Sequence, residues 1–415
     1  MNSNILPVYL RGLIDYVQKS ERLVVGLHSG TSADGPTAAL VRVSGNEQNT
    51  DINLVDWRSY EYESPLKERI FDVFARETGS LDRVAQADNV IGDFFAEVVQ
   101  RLVAKAGFAM SDLDLIVSSG QVCYQVIDGQ REDHNWLGDK AIASFLDLGA
   151  GAFIAQRTGV TTVSNLRQRD IAAGGLGVPT VSYGDWVLFG DSKVNRALHN
   201  IGGIANPAVL PAGASINEMF AFDSGPGNMI IDALVNWISG GEQFYDDNGA
   251  IAARGNVDDS LLSELMRHPF VLQKPPKGAA RQLFGHEYSR GVMEQGRALG
   301  LSDEDIVATA TAFTAESITH NYKEFVFPRV SIDEILLAGG GANNATLIGM
   351  LRDRLDPIPI TTIEERLGIP VEAREVLTMI AIGNDTVQGN AGNVPSATGA
   401  QSRVIAGDIT PGQLG

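Results

Sequence analysis

The sequence predicts an α/β protein in which one folding plan is used twice. Three observations carry that expectation. Apolar, strand-length runs end in glycine turns at residues 23–43, 196–210 and 333–347. The order hairpin, third strand, helix, strand, helix is legible once in each half. The 415 residues, 44% apolar and 20% charged, suit two soluble globular domains. A single large mixed α/β domain is compatible with the same pattern.

In the first half, residues 23–27 form a short apolar run suited to a strand, and residues 36–43 return beside it. Residues 52–57 can add a third antiparallel strand. Leu66, Ile70, Val73 and Phe74 recur at helical spacing, and Gly79 ends that helix. Residues 81–105 set Val84, Ile91, Phe94, Phe95, Val98 and Leu102 on one side of a long amphipathic helix. Residues 113–117 read as a buried strand that ends at Ser118-Ser119-Gly120-Gln121, and a helix and a strand at 161–164 follow.

The second half starts the plan again, with a hairpin at 196–210 and a third strand at 219–222. The turn Asp223-Ser224-Gly225-Pro226-Gly227-Asn228 leads into a helix at 229–238. Helices at 258–267, 286–298 and 303–325 come next, with Ser302 placed to cap the last. Strand 334–338, helix 343–355, strand 358–363 and helix 372–387 close the unit.

Charge and composition narrow the function. A net charge of −19 with no basic stripe argues against a nucleic-acid partner, but a local set of donors can still hold a nucleotide. The single cysteine, Cys123, excludes an internal disulfide and has no neighbouring histidine to activate it. The six histidines are scattered, which speaks against a zinc site. The N-terminal stretch is broken by Pro7, Arg11 and Asp15, and no window approaches the ~20 apolar residues of a membrane span. A cytoplasmic protein is expected, in which the Asn-x-Thr triplets at Asn344 and Asn384 are not glycosylated.

The turn His28-Ser29-Gly30-Thr31-Ser32-Ala33-Asp34-Gly35 joins small hydroxyl residues to one carboxylate. Such a turn can offer backbone N–H groups and hydroxyls to a phosphate, and Asp34 can hold a divalent cation. Taken alone it reads first as an ordinary hairpin. Gly202-Gly203 and Gly339-Gly340-Gly341 repeat the strand-to-glycine pattern, yet neither a P-loop nor G-x-G-x-x-G is present. Asp170 lies between Arg169 and a tight Ala172-Ala173-Gly174-Gly175 turn, where nearby arginines favour an ionised carboxylate able to take a proton; a plain helix cap is the alternative. Glu375 is a second metal candidate or a solvated helix residue. Asp223 either orients a water or caps the following helix. Lys277, with Lys274 and Arg281 nearby, is either a contact for an anionic substrate or an exposed lysine.

Assembled, these motifs resemble the anhydro-N-acetylmuramic acid kinase family, including its fungal levoglucosan kinase branch, over about residues 23–407. GLHSGTSADG is similar to the family's G-x-x-S-G-T-S-x-D-G, and RDIAAGGLGVP to its R-D-x-A-A-G-G-x-G-A-P. NIGGIAN, FDSGPGN, YDDNGAIAARG, PPK, LLAGGGANN and ATGA follow in the family's order. The resemblance implies two ribonuclease-H-like domains of the actin/hexokinase type with a central nucleotide cleft. We expect domain I at 1–145, with 388–415 returning to it, and domain II at 146–387.

It also implies Mg2+ and ATP, an anhydrosugar substrate, a homodimer, and Asp170 as catalytic base. Nucleotide contacts fall to Ser29, Gly30, Thr31, Ser32, Asp34, Gly35, Asn200, Gly202, Gly203, Asn206, Gly225, Gly227, Asn228, Gly339, Gly340, Gly341 and Asn344. Sugar contacts fall to Gln121, Arg167, Gly174, Gly175 and Lys277, and metal contacts to Asp34 and Glu375. The departures lie on the sugar side. The family's S-H-G-Q-T reads Ser118-Ser119-Gly120-Gln121-Val122, and its P-P-K-S-T-G-R-E reads Pro275-Pro276-Lys277-Gly278-Ala279-Ala280-Arg281-Gln282. Pro36 and Thr37 also replace a hydrophobic residue and Asp. That pattern fits a changed anhydrosugar. It also fits an ATP-binding or sensing homologue with impaired catalysis, and a hydroxyl-directed sugar kinase is a further alternative.

Overall fold

Strand β1 (Glu21–Ser29) is buried on both faces for most of its length, so it needs cover on each side. One face carries Leu23, Val25 and Leu27 into a core with Ile91, Phe95, Val98 and Leu102 of the helix Leu81–Lys105. Each such fully buried side chain contributes roughly 1.5–3 kcal/mol. On the other face Gly26 lets the helix Arg374–Gln388 lie directly on the strand. A methyl group at position 26 would stand 2.5 Å from Ile380 and 2.8 Å from Val376.

The computed structural model describes residues 8–31, 33–75, 77–126, 143–275, 277–279 and 281–412. Its first sheet holds β1, β2 (Thr37–Ser44), β3 (Asp51–Ser59), β4 (Leu115–Val126), β5 (Ser144–Leu148), β6 (Thr162–Ser164) and β13 (Asp408–Thr410). The order is β13-β6-β4-β1-β2-β3, with β5 paired on β4. Strand β1 is antiparallel to β2, with Val25 opposite Leu40, and parallel to β4, with Val25 opposite Ile116.

The second sheet repeats this plan with β7 (Arg196–Ile201), β8 (Ile204–Leu210), β9 (Phe220–Ala221), β10 (Gly225–Pro226), β11 (Glu334–Ala338) and β12 (Ile360–Thr362). Strand β7 is antiparallel to β8 and parallel to β11, which is parallel to β12; β9 and β10 both pair with β8. Leaving aside β5 and β13, and taking β9 and β10 together as the third strand beside β8, each sheet runs third, second, first, fourth, fifth, a ribonuclease-H-like order. Helix Asp303–Asn321, capped by Ser302 as expected, carries Ala315 and Ile318 into the second core with Ile335 and Leu337 of β11. Among the described residues no helix is long and apolar enough to cross a membrane.

The chain divides into Met1–Leu188 with Glu372–Gly415, and Phe189–Val371. The boundaries expected at 145 and 387 thus fall inside the first unit. The reason is pairing: β6 extends the first sheet beside β4, and the helix Arg374–Gln388 packs on β1. Strand β4 also differs from expectation. It passes through Ser118-Ser119-Gly120-Gln121 to Val126, because Gly120 takes φ +76° and a bulge between Val122 and Tyr124 lets β5 pair beyond it.

Candidate functional site

Asp170 lies on the short helix Gln168–Ala172 that follows β6, and it is only 3% exposed. Its Oδ1 accepts from Asn393 Nδ2 at 2.7 Å and from Thr398 Oγ1 at 2.8 Å. Its Oδ2 accepts from the backbone N–H of Gly177 at 2.9 Å. Gly175 passes so close that a methyl group there would stand 2.2 Å from Oδ2, which accounts for that glycine. Gly174 is exposed beside Gln401. The electrostatic reason expected from sequence is corrected here. Arg169 is exposed, and Arg167 is turned away onto Asp147; hydrogen bonds from the C-terminal segment and from Gly177 hold Asp170.

The pair Arg167–Asp147, 2.7 Å apart and almost fully buried, sits under the same helix. Arg167 stacks on Phe145 at 4.6 Å, which leaves it a structural partner of β5. Asp147 Oδ1 and Arg167 Nε have no hydrogen-bond partner among the described residues. Burial pushes the Asp147 carboxyl up, and Arg167 and His28 oppose that shift. Val122 packs with Phe145 and Ile171 in a small apolar cluster beneath Asp170.

In the turn after β1, Ser29 points inward and donates to Gln121 Oε1 at 2.6 Å. Gln121 also accepts from Tyr62 OH and donates to the carbonyls of Gly30 and Val122. With two bonds on its oxygen and two on its nitrogen, the Gln121 amide is saturated. Gln121 thus fixes the turn and is not free to bind sugar, contrary to expectation. Gly35 has φ +143°, and a methyl group there would meet Tyr60 O at 1.7 Å, so this glycine answers to β3. Gly30 is half-buried, with His28 Nε2 3.8 Å from where a methyl group would stand, and Thr31 is exposed. Ser32 lies outside the described residues. Cys123 is buried, and burial pushes its thiol up to about 11, as suits a structural cysteine.

Asp34, 70% exposed, pairs with Lys67 at 3.0 Å. Glu375, at the start of the helix Arg374–Gln388, pairs with His28 Nε2 at 2.8 Å, and His28 Nδ1 meets Ser119 Oγ at 2.6 Å. Desolvation raises the Glu375 carboxyl, but His28, Arg374 and Arg167 together outweigh it and bring it down to about 2. Arg374 is itself anchored on buried Asp185. Among the described residues no group of three or more His, Cys, Asp and Glu could hold a metal ion. Mg2+ bound through phosphates needs only one or two protein carboxylates. Asp34, paired with Lys67, and Glu375, paired with His28, are the carboxylates that could meet that limited demand.

The second unit gathers its glycine turns. The Asn228 and Gly227 N–H groups donate to the carbonyls of Gly202 and Gly203 at 2.7 and 2.9 Å. A methyl group at Gly227 would lie 2.1 Å from Gly202 O, and one at Gly339 (φ +79°) 2.7 Å from Ile201 O and 2.8 Å from Asn200 Oδ1. Gly340 lies by Asn228 Nδ2, and Asn206 stands opposite Asn200 in the β7–β8 register. Gly202, Gly203, Gly227, Asn228, Asn200 and Gly339–Gly341 are thus brought together, with Gly203 and Gly340 on the exposed side.

Three other expected contacts are structural instead. Gly225 packs on Ser317, and Asn344 Oδ1 caps the helix Ala345–Leu355 through Leu347 N. Lys277 is buried, donates to the carbonyls of Phe270 and Val271, and lies over the Phe270 ring at 4.9 Å. Burial lowers its amine to about 8, with Asp223 opposing. Asp223, pushed up to about 6 by burial, accepts from Ala279 N at 2.6 Å, so it ties down the Lys277 segment and caps no helix.

Sequence reasoning missed Asn393, Thr398, Asp147 and His28. Of these, His28 and Thr398 lay in motifs already singled out, GLHSGTSADG at 26–35 and ATGA at 397–400, while Asn393 and Asp147 lay in none.

Comparison with known proteins follows the same lines. The family model described as anhydro-N-acetylmuramic acid kinase matches residues 22–412. The chain is 40% identical over 400 residues to the anhydro-N-acetylmuramic acid kinase of Caldanaerobacter subterraneus subsp. tengcongensis, covering 96% of this chain and 99% of that protein. It is 38% identical to the Clostridioides difficile protein of that name, over 94% of this chain and 99% of the relative. Component A of the (R)-2-hydroxyglutaryl-CoA dehydratase of Acidaminococcus fermentans, a solved structure, is 11% identical with a TM-score of 0.44, over 88% and 99% of the two chains.

Proposed function

The chain belongs to the anhydro-N-acetylmuramic acid kinase family, and on that premise we propose that it opens the 1,6-anhydro bridge of anhydro-N-acetylmuramic acid and phosphorylates the freed O6 with ATP. The observation that carries the reading is Asp170, a buried carboxylate fixed by three donors beside a glycine turn.

In this reading Asp170 takes a proton from water as the water oxygen bonds to C1. The C1–O6 bond breaks, O6 bonds to the γ-phosphorus, and the bond from that phosphorus to the β,γ-bridging oxygen breaks. The products are ADP and a 6-phosphosugar, with the proton left on Asp170. A general base of this kind supplies about 10²–10⁴-fold. In the second unit, the backbone edges at Gly203 and Gly340 and the amides of Asn200, Asn206 and Asn228 would hold the nucleotide. Asp34 and Glu375 would hold Mg2+, which when bound neutralises phosphate charge. A cytoplasmic homodimer is part of the same reading and rests on family resemblance. The altered sugar-side residues Ser119 and Val122 make levoglucosan the substrate to compare. The reading of an impaired ATP sensor is less favoured, since Asp170 and its donors are all in place.

The test is ADP release with anhydro-N-acetylmuramic acid, levoglucosan and glucose, using Asp170→Asn as control. Turnover on an anhydrosugar that falls about 10²–10⁴-fold in the variant is expected. Full activity in Asp170→Asn would overturn the base. ATP binding without phosphoryl transfer would instead favour the sensor, and turnover on glucose alone an ordinary sugar kinase.

A further inference from the structure

Two of the three donors on Asp170 come from 223 and 228 residues further along the chain. Both fall on the same oxygen. A carboxylate oxygen offers about two lone-pair directions. Asn393 and Thr398 fill both on Oδ1, whereas among the described residues Oδ2 receives only the Gly177 N–H and keeps one uncommitted. We propose that Asn393 and Thr398 are positioning residues that make Oδ2 the proton-accepting oxygen of Asp170, an inference that rests on Asp170 being the base.

Neither donor can turn away without loss. The Asn393 amide is locked at its other end: its oxygen accepts from Val404 N at 2.8 Å, and its nitrogen also donates to Ser402 O at 3.1 Å. Flipping the amide would set oxygen against the carboxylate and nitrogen against an N–H. The Thr398 hydroxyl lies 2.8 Å from Asp170 Oδ1 and 3.3 Å from Val394 O, and its one proton favours the nearer, charged acceptor. The segment is pinned to the loop after Asp170 by Leu176 N to Thr398 O at 2.9 Å and Gln401 N to Ala173 O at 2.8 Å. Both side chains are buried, so they act through Asp170.

The experiment measures kcat, KM for both substrates and the thermal midpoint of the full chain for Thr398→Val, Thr398→Ala, Thr398→Ser and Asp170→Asn. Loss of one hydrogen bond to a charged group predicts a fall in kcat of about 10–100-fold in the Val and Ala variants, with KM little changed. Serine, which restores the donor, should recover most of that loss. Thr398→Ala guards against failure of the bulkier valine to fold. Unchanged kcat in Thr398→Ala beside an inactive Asp170→Asn overturns the positioning role and leaves the base standing. No recovery with serine also overturns it. An active Asp170→Asn removes the premise itself.

Discussion

The glycine turns of the two units look alike as text and differ as structure. In the first unit Gly35 is required by its neighbour strand, since any side chain would run into Tyr60 O, and the hydroxyl of Ser29 is spent on Gln121. In the second unit Gly227 and Gly339 press backbone against backbone at Gly202 and Ile201, and so stack three distant stretches into one nest. Its outer edge is Gly203 and Gly340. A glycine run therefore carries two messages. Most of its members allow the protein to approach itself, and the few facing open space are those a ligand can use.

That distinction can be broken by substitution. The largest effects should come from Gly35→Ala and Gly227→Ala, where a methyl group lands 1.7 Å and 2.1 Å from a carbonyl oxygen. Overpacking of this kind costs about 1–3 kcal/mol or more, read as a lowered urea midpoint. Gly340→Ala meets nothing nearer than Asn228 Nδ2 at 3.4 Å, so its unfolding midpoint should stay within about 0.5 kcal/mol of the parent. Its ATP affinity, measured by calorimetry, should fall. Equal affinity in Gly340→Ala and the parent would break the comparison.

Lys277→Met should be the mildest, with KM for sugar unchanged, because the ammonium is directed into the protein. Its signature lies in pH. The folded amine is lowered to about 8 from an ordinary 10.5, so between these values the unfolded chain holds the extra proton. Stability should rise with pH across that window, and the methionine variant should lose the slope.

Local pattern was a good guide to elements that need only themselves. The apolar stripe of Leu81–Lys105 and the short apolar run of β11 gave bounds that match those observed. What local pattern could not carry was partnership. Strand β4 runs on through Ser118-Ser119-Gly120 because β1 and β5 flank it, and neither neighbour leaves a mark on that stretch. The return of Arg374–Gln388 to the first unit depends on Gly26, some 350 residues earlier, being small. Asp170 could be singled out beside its glycines, but its donors could not, since Asn393 and Thr398 have no periodic relation to it. Lys277 and Gln121 misled for the opposite reason. Polar residues in a motif look available until their partners are seen.

The first unit closes only with Glu372–Gly415, so the whole of Phe189–Val371 is threaded between its two pieces. Emerging from the ribosome in order, the chain can finish the inserted unit while the one that began first still waits for its last helix and for β13. A translation stop at residue 390 would release a protein with the second sheet complete and Asp170 missing both side chains that hold its Oδ1. The groups that hold Asp170 thus reach it only after the whole inserted unit has been made.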